Sequence, residues 1–250
     1  MPIQICDLSW DNDGTSEDIP MVTNGAITEG ITTSGFDTTE LGNKEITISY
    51  NGVEVPVKLE IEVIQKLDYE EKTDPEGNKE IIITGPTTPG EGEEENKNVV
   101  IPDNIDGKPV TEIGDKAFAK PVEVETIEIP DSVIKIADNA FEGNEDAIII
   151  CNPGSAAEQY AKDHDMSYIY KDKTITGISV LRNPDKVEYL ENKENLDVTG
   201  GRLTVTYAEE GLTSKVRMTS PGVETDGFDN TIAGTNEVTV TFREQSTEFN

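Results

Sequence analysis

The sequence predicts a mainly β protein in which a short repeat domain lies between two small β-sheet modules, and two internal duplications carry this prediction. The segment PVTEIGDKAF (109–118) returns as SVIKIADNAF (132–141), 23 residues later. On a larger scale, GFDTTELGNKEITISY (35–50) returns as GFDNTIAGTNEVTVTF (227–242), 192 residues later. The second duplication brackets the first, so the chain is organised as module, repeats, module.

The 23-residue period indicates a solenoid, because units of about 20 to 29 residues with apolar residues at fixed offsets bury their apolar sides by stacking. Ile-Pro-Asp at 101–103 and again at 129–131 ends a short strand, since proline cannot donate to a β-ladder. In each copy an alanine precedes a phenylalanine, and we expect Phe118 and Phe141 to be buried and stacked one coil apart. The side chains expected around the two rings are Ile101, Ile113, Ile127, Ile129 and Ile136.

The repeat units resemble the BspA-like leucine-rich repeat of bacterial surface proteins, whose pattern is I-x-I-P-x-x-V-x-x-I-x-x-x-A-F. Residues 67–85 are similar to that family's N-terminal hairpin cap and residues 151–170 to its C-terminal cap. The resemblance implies a cell-surface or secreted protein that binds or adheres to a partner. Only two full repeats are present where the family stacks many, so this solenoid depends on its caps.

The flanking modules have the pattern of antiparallel sheets. Apolar and polar residues alternate over 45–50 and 55–63, and Asn51-Gly52 between them favours a tight hairpin because both residues tolerate positive φ. A second match, between residues 10–14 and 207–211, has an offset of 197. The duplicated segments resemble the group 3 bacterial immunoglobulin-like module, a small β-sandwich that serves as a spacer in secreted surface proteins.

The expected domains are an immunoglobulin-like module over 1–65 that lacks its N-terminal strands, a BspA-like leucine-rich repeat domain with caps over 66–171, and an immunoglobulin-like module over 172–250 that lacks its last strand. An incomplete sandwich exposes unpaired backbone groups with which a strand of another chain can pair. We therefore expect head-to-tail or strand-swapped self-association, the alternative being a frayed but monomeric module. The start MPIQICDLSW lacks the features of a secretory signal and no sorting motif is found, so we expect a fragment of a longer protein.

Composition excludes some classes of function. With 34% hydrophobic residues and 21 glycines the chain has the composition of a globular protein. The 51 acidic against 20 basic residues, a net charge of −31, exclude a nucleic-acid binder and disfavour anionic membranes. No run of about 18 apolar residues could span a bilayer. The acid excess fits calcium binding, repulsion between neighbours or simply a solvated surface, and we favour the last.

Two acidic motifs invite a ligand-binding interpretation but have simpler explanations. Residues 11–14 (DNDG) are expected to form a turn, since the further ligands of an EF-hand loop are missing. In the two Gly-Phe-Asp segments, Asp37 and Asp229 are expected to accept hydrogen bonds from backbone N–H groups two residues on, as Asx-turns do. Phe36 and Phe228 would then plug the ends of their modules.

Candidates for catalysis are few. His164 is the only histidine and is expected in the cap helix, with no serine or cysteine at a spacing that suggests a triad. Cys6 and Cys151 fall in different predicted domains and are expected to be buried thiols rather than a disulfide. The acidic stretch 87–96 lacks the Lys-Ser or Lys-Thr of a phosphate loop and is expected to be a solvated loop. We therefore predict no enzyme, no catalytic residue, no metal site and no cofactor.

The predicted function is a non-enzymatic, extracellular binding or adhesion protein at the bacterial surface. Its partner would be a protein or glycan on a host, in a matrix or on a neighbouring cell. Solenoids bind on the surface that their stacked strands form, so we place the ligand on the exposed strand face. The residues predicted there are Val100, Thr126, Glu128 and Ile149. The alternative is a purely structural stalk or surface-layer segment without a ligand of its own.

Overall fold

The computed structural model describes residues 31–34, 42–50, 53–63, 67–87, 97–191 and 193–249. The chain forms two compact units, Met1–Ile64 and Gln65–Asn250. Within the described residues, no helix is long and apolar enough to cross a membrane.

The first unit contains an antiparallel sheet with strand order β1-β2-β3. Its strands are β1 (Ile31–Ser34), β2 (Gly42–Tyr50) and β3 (Val53–Val63). Tyr50 pairs with Val53, which confirms the predicted two-residue hairpin, although Asn51 and Gly52 themselves lie outside the described residues. The register shifts between Thr47 and Ile48, opposite the stretch of β3 that contains Pro56. Because proline cannot donate a ladder hydrogen bond, the bulge lies where the sequence requires it.

The second unit begins with a hairpin and continues with short strands and one helix. These elements are β4 (Leu67–Thr73), β5 (Lys79–Pro86), β6 (Asn98–Val100), β7 (Asn104–Ile105), β8 (Lys108–Ile113), β9 (Thr126–Glu128), β10 (Lys135–Ile136), β11 (Ile148–Cys151), α1 (Ala156–Asp163) and β12 (Ser167–Tyr170). Strands β10-β8-β5-β4 form one sheet, with β7 paired to β8, and β12-β11-β9-β6 form another. All pairs in the second sheet are parallel.

The 23-residue period appears directly in the pairing of the first of these sheets. Glu112 pairs with Lys135 and Ile113 with Ile136, each pair one period apart. The turns that follow are also joined, since Phe118 N–H donates to Ala140 O at 2.8 Å. Each copy therefore adds one strand to each of two sheets, which is a β-rich repeat fold.

The repeat core has the predicted centre. Phe118 and Phe141 are buried, and their ring centroids lie 5.5 Å apart with the planes inclined by 18°. The surrounding Ile101, Ile113, Ile127 and Ile129 are also buried, whereas Ile136 is half-buried. The buried Asn144 amide donates to the carbonyl oxygens of Phe118 and Val122, both at 2.7 Å, and so satisfies carbonyl groups of the preceding coil. The predicted stacking of the two phenylalanines is confirmed.

The residues after the repeats form two further antiparallel sheets. The first consists of β13 (Ile175–Arg182), β14 (Arg202–Tyr207) and β15 (Thr213–Arg217), and the second of β16 (Val223–Asp226), β17 (Val238–Phe242) and β18 (Gln245–Phe249). Their buried side chains, including Leu203, Val205, Val240 and Phe242, belong to the same core as those of the repeats.

The sequence duplication is repeated in the backbone pairing. Ile31 pairs with Tyr50 in the first unit, and Val223 pairs with Phe242 in the second. Both partners differ by the 192 residues that separate the duplicated segments. Strands β16, β17 and β18 thus repeat the order and register of β1, β2 and β3 near the hairpin. That both belong to immunoglobulin-like sandwiches stays a prediction.

Candidate functional site

The predicted binding surface lies on the outward face of the parallel sheet formed by β6, β9, β11 and β12. Val99 pairs with Ile127, and both are buried against the repeat core. Side chains alternate between the two faces of a strand, so the neighbouring positions point outward. Val100, Thr126 and Glu128 occupy such positions and are half-buried, as the sequence predicted for an accessible strand face.

The predicted placement of Ile149 on this face is wrong. Ile149 pairs with Ile127 and is 0% exposed, so it lies in the inner row. The run of three isoleucines at 148–150 has no alternation that could fix the register. The signal lay further along the chain: Ile149 and Cys151 precede Asn152-Pro153 as Ile127 and Ile129 precede Pro130. Ile150, which is half-buried and pairs with Glu128, takes the outward position instead.

The accessible part of this face combines apolar side chains with polar and charged ones. Val100, Glu128 and Ile150 form one row across three strands, and Thr126 lies in the next row, where its Oγ1 donates to Asn98 Oδ1 at 2.7 Å. Lys171 pairs with Glu128 at one side. We refer to Asn98, Val100, Thr126, Glu128 and Ile150 as the β6–β11 face.

A second ion pair lies beside the β6–β11 face. Lys97 Nζ lies 2.7 Å from Glu123 Oε2 and 3.8 Å from Glu125 Oε1. The Lys97 ammonium lowers the pKa of Glu123, so this exposed carboxylate stays ionised. No local pattern in the sequence indicates Lys97, Asn98 or Lys171, because lysines and asparagines near strand ends are common. Only the register brings Asn98 into the face and the two lysines beside it.

The far end of the same sheet is not accessible. Ser167 in β12 would continue the outward row of Thr126 and Ile148, yet it is 1% exposed. Its Oγ accepts from Arg217 N–H at 2.8 Å and contacts Ser220 Oγ at 2.6 Å. Residues after the repeats therefore cover the outward face at β12, and the β6–β11 face is the part left open.

The other sheet carries a chain of alternating charges. Lys72 Nζ lies 3.1 Å from Glu80 Oε2 and 3.1 Å from Glu112 Oε2, and Lys135 Nζ lies 2.5 Å from Glu112 Oε1. Burial alone would raise the pKa of Glu112, but the Lys135 and Lys72 ammonium groups outweigh it and hold the pKa below its usual value. These four charges neutralise one another across neighbouring strands, which is a stabilising role.

The cap helix has a structural role that its sequence explains. Ser155 Oγ accepts from Glu158 N–H at 3.2 Å, and Glu158 Oε2 accepts from Gly154 N–H at 2.6 Å, an arrangement related to a capping box. Glu158 also accepts from Tyr170 Oη at 2.5 Å and pairs with Lys162 at 2.6 Å. Glu158 therefore ties the start of the helix to β12.

The two side chains that could take part in catalysis, His164 and Cys151, are held by neighbouring groups or buried. His164 follows α1, its ring stacks on Tyr160 at 4.0 Å, and its Nδ1 lies 3.0 Å from Tyr160 O. Cys151 is buried as predicted, and burial raises the pKa of its thiol to about 11. A shallow cleft of about 290 Å³ beside α1 is lined by both ring systems and by Ile134, Asp138 and Asp163. Among the described residues, no serine, threonine or cysteine lines it.

In the C-terminal Gly-Phe-Asp segment the structural interpretation is confirmed for the aspartate. Asp229 Oδ1 accepts from Thr231 N–H at 2.8 Å and from Thr231 Oγ1 at 2.6 Å, which lowers the pKa of Asp229. Phe228 is half-buried, with its ring edge-on to Tyr189 at 4.8 Å.

Several predicted features lie outside the described residues: Cys6, residues 10–14, Phe36, Asp37 and residues 88–96. Among the residues that the structure does describe, no group of three or more His, Cys, Asp or Glu side chains is arranged to hold a metal ion.

Comparison with known proteins gives partial likenesses. No protein-family model and no curated protein sequence matches the chain. A leucine-rich repeat protein of T. pallidum is 32% identical over 34% of this chain and 36% of its own, with a TM-score of 0.27. A leucine-rich cell surface protein of Faecalibacterium prausnitzii is 18% identical over 40% of this chain and 28% of its own, with a TM-score of 0.30. The chain thus spans about a third of the length of either protein, and TM-scores this low define neither fold nor function.

Proposed function

We propose that this protein is a non-enzymatic binding protein of the bacterial cell surface or of secreted material, and that its repeat domain contacts the partner through the β6–β11 face. The partner is a protein or a glycan on a host, in a matrix or on a neighbouring cell. The segments on either side of the repeats hold this domain away from its anchor. The repeat units' resemblance to the BspA-like family motivates the location and the class of partner.

The observation that carries the proposal is the composition of the β6–β11 face. Val100 and Ile150 lie on either side of Glu128 on adjacent strands, with Lys171 and Lys97 at the margins. Apolar side chains beside an ion pair fit a protein-binding patch, in which apolar contacts are combined with polar groups. Each strand is fixed from behind by side chains that are at most 2% exposed, so little ordering is needed when a partner binds.

That the protein is not an enzyme is part of the proposal, and the state of His164 and Cys151 supports it. The Cys151 thiol has a pKa of about 11 and is 1% exposed, so at neutral pH it is a protonated thiol without access to a substrate. The His164 ring is stacked on Tyr160 and contacts a carbonyl oxygen through Nδ1. Within the part of the chain that the structure describes, neither group contacts the base or nucleophile that nucleophilic catalysis requires.

The test is a binding panel of immobilised fibronectin, laminin, collagen and a set of glycans, with the protein at up to about 10 μM. The variant Val100→Lys/Thr126→Lys introduces two charges into the β6–β11 face. The control Ile134→Lys/Leu181→Lys introduces the same charges at positions that are 71% and 50% exposed and lie outside this sheet. We expect a bound member of the panel to be lost by the first variant and kept by the second. Equal binding by both variants would refute the assignment of the face.

The second candidate function is a purely structural stalk. It is favoured by the direct hydrogen bonds between the last repeat strand and the strands that follow, such as Arg217 N–H to Ser167 Oγ, which fix one part of the chain against the next. A stalk should bind no member of the panel at micromolar concentration, so the same experiment separates the two functions.

A further inference from the structure

We infer that residues 172–250 are the C-terminal cap of the repeat sheet: they close the open edge of β12 and form one cooperative unit with the repeats. This assignment goes beyond the proposed function, in which the same residues act only as a spacer. It rests on the way three consecutive features of β12 are satisfied by side chains and backbone of β14, β15 and the residues just after β15.

Strand β12 needs a cap because it is the last strand of its sheet. It pairs with β11 on one side only. An edge strand presents unpaired backbone N–H and C=O groups, to which a strand of another molecule can add. All four residues of β12 are nevertheless buried, so something other than a neighbouring strand of the sheet covers it.

In the first closing contact, a tyrosine hydroxyl accepts a backbone hydrogen bond that a neighbouring strand would otherwise accept. Tyr170 N–H in β12 donates to Tyr207 Oη of β14 at 3.0 Å. The same hydroxyl lies 2.7 Å from Ser214 Oγ in β15, which holds it in position. The two tyrosine rings pack with centroids 5.1 Å apart, and Tyr207 is 3% exposed. The backbone donor of the edge strand is therefore satisfied inside a buried contact.

The second closing contact runs in the opposite sense, from the backbone of the added sheet to a side chain of β12. Arg217 N–H donates to Ser167 Oγ at 2.8 Å, and Ser167 Oγ lies 2.6 Å from Ser220 Oγ. Ser220 Oγ donates in turn to Asp146 O at 2.8 Å, just before β11. This buried relay joins the edge of the sheet to two different turns.

The third contact holds the turn that leads into β12. The Arg217 guanidinium donates to Asp165 O from Nε at 3.0 Å and from Nη2 at 2.8 Å. Arg202 Nη2 donates to Asp165 Oδ2 at 2.6 Å. Asp165 has a φ of 50°, a left-handed conformation that costs an L-residue energy unless its surroundings enforce it. Arg202 in β14 and Arg217 in β15 hold Asp165 in this conformation through these hydrogen bonds.

The apolar contacts continue across the junction. Tyr207, Val216 and Met218 are at most 3% exposed and belong to the same core as Ile148 and Tyr168. Only residues 171–174 connect β12 to β13, so the covering sheet comes from the chain that directly follows. Shared burial and shared hydrogen bonds mean that neither part can open without exposing the other, and this makes unfolding cooperative.

The experiment is native-state hydrogen exchange on the full chain, comparing Tyr207→Phe with the matched control Tyr189→Phe. The first change removes the acceptor of the Tyr170 N–H and keeps the ring. The control removes a hydroxyl of the same segment whose bonds among the described residues are to Lys186 O, Asp197 O and Asp197 N–H. A buried donor left without a partner is costly, so we expect Tyr207→Phe to speed exchange about tenfold.

The decisive readout is where the acceleration occurs. We expect the amides of β9 and β11 in the repeats and those of β14 and β17 in the cap to accelerate by the same factor, while Tyr189→Phe, which removes a half-buried hydroxyl away from β12, has a smaller effect on all four strands. Acceleration confined to β14 and β17, with β9 and β11 unchanged, would overturn the inference. Ser220→Ala, which breaks the relay to Asp146, is a milder second variant. It should produce the same joint pattern, at about threefold, if Tyr207→Phe proves too unstable to handle.

Discussion

Two residues at equivalent positions of the two repeat copies differ sharply in their exposure to solvent. Thr111 in the first copy is 7% exposed, whereas Ile134, which is 23 residues later, is 71% exposed. The polar residue is buried because the preceding β4–β5 hairpin covers it and Glu80 Oε2 accepts from its Oγ1 at 3.2 Å. Ile134 lines the shallow cleft beside α1, which leaves its side chain open.

This difference shows that burial in a short repeat array is set by the neighbouring element and only secondarily by position within the repeat. With two copies, each copy has one neighbour that is not a repeat: a hairpin for the first and a helix for the second. The positions that face the other copy behave alike, as Phe118 and Phe141 do. Positions that face the hairpin or the helix differ in burial between the two copies.

The largest effect is expected where the copies are alike. Phe118→Ala and Phe141→Ala should each lower the free energy of unfolding by about 3 to 5 kcal/mol, because each leaves a large cavity in a core with little room to collapse. Urea unfolding followed by circular dichroism measures the loss. Phe141→Leu serves as a milder control, and a loss below about 1 kcal/mol for either alanine variant would mean that the rings do not form the core.

An intermediate effect is expected at Glu112 and Lys135, which are aligned and paired but unequally buried. The Glu112 side chain is 13% exposed and the Lys135 side chain 66%. Glu112→Gln removes the carboxylate that Lys72 and Lys135 share, although Lys72 keeps Glu80, and should cost about 1 to 3 kcal/mol. Lys135→Ala should cost under about 1 kcal/mol, as exposed ion-pair partners do. Equal losses in urea unfolding would contradict the difference in environment.

The same carboxylate predicts a pH dependence. The pKa of Glu112 is lower in the folded state than its ordinary value of about 4.3, so its contribution is complete above that pH and is lost as the pH falls through the folded pKa. The free energy of unfolding measured from pH 7 to pH 2.5 should therefore fall less steeply for Glu112→Gln than for the wild type. Parallel curves would show that Glu112 titrates normally.

A smaller effect, in this case a gain in stability, is expected in the β17–β18 hairpin, which corresponds to the β2–β3 hairpin of the first unit. The hairpin between β17 and β18 has Arg243 and Glu244 with φ of 49° and 66°, at the places where the first unit has Asn51-Gly52. Positive φ at both positions favours Asn-Gly, so replacing Arg243-Glu244 by Asn-Gly should stabilise the chain by about 1 kcal/mol. Thermal unfolding measures this, and a loss of stability would indicate that the arginine or glutamate side chain has a role of its own.

The smallest effect is expected at Ile134. Ile134→Thr gives the second copy the residue of the first and should change the free energy of unfolding by less than about 0.5 kcal/mol, because the side chain is already exposed. A loss of more than about 1 kcal/mol in urea would show that something covers Ile134 in solution.

Residues whose surroundings are formed by nearby sequence could be predicted, whereas those whose surroundings come from distant parts of the chain could not. The Phe118–Phe141 stack, the β2–β3 hairpin and the Asp229 turn follow from local spacing. Ile149 was placed on the wrong face because three successive isoleucines carry no period-2 signal, and only the register with Ile127 decides their orientation.

Only part of the candidate site could be predicted, because long-range contacts decide the rest. Val100, Thr126 and Glu128 follow from strand alternation. The ion pairs of Lys97 and Lys171 join residues up to 43 positions apart, and no local pattern indicates them. The covering of β12 depends on Tyr207 and Arg217, whose alternating strands predict a separate sheet but not the edge against which it packs.

The central claim is that adjacent copies stack through their phenylalanines, and a double-mutant cycle between Phe118→Leu and Phe141→Leu tests it most directly. Rings in stacked contact contribute about 0.5 to 1.5 kcal/mol beyond the area that they bury, so the double variant should lose less stability than the sum of the single variants by that amount. The free energies come from urea unfolding of the three variants and the wild type under the same conditions. Losses that add to within about 0.3 kcal/mol would mean that the two rings do not interact, and would contradict the repeat register on which the fold, the β6–β11 face and the cap all depend.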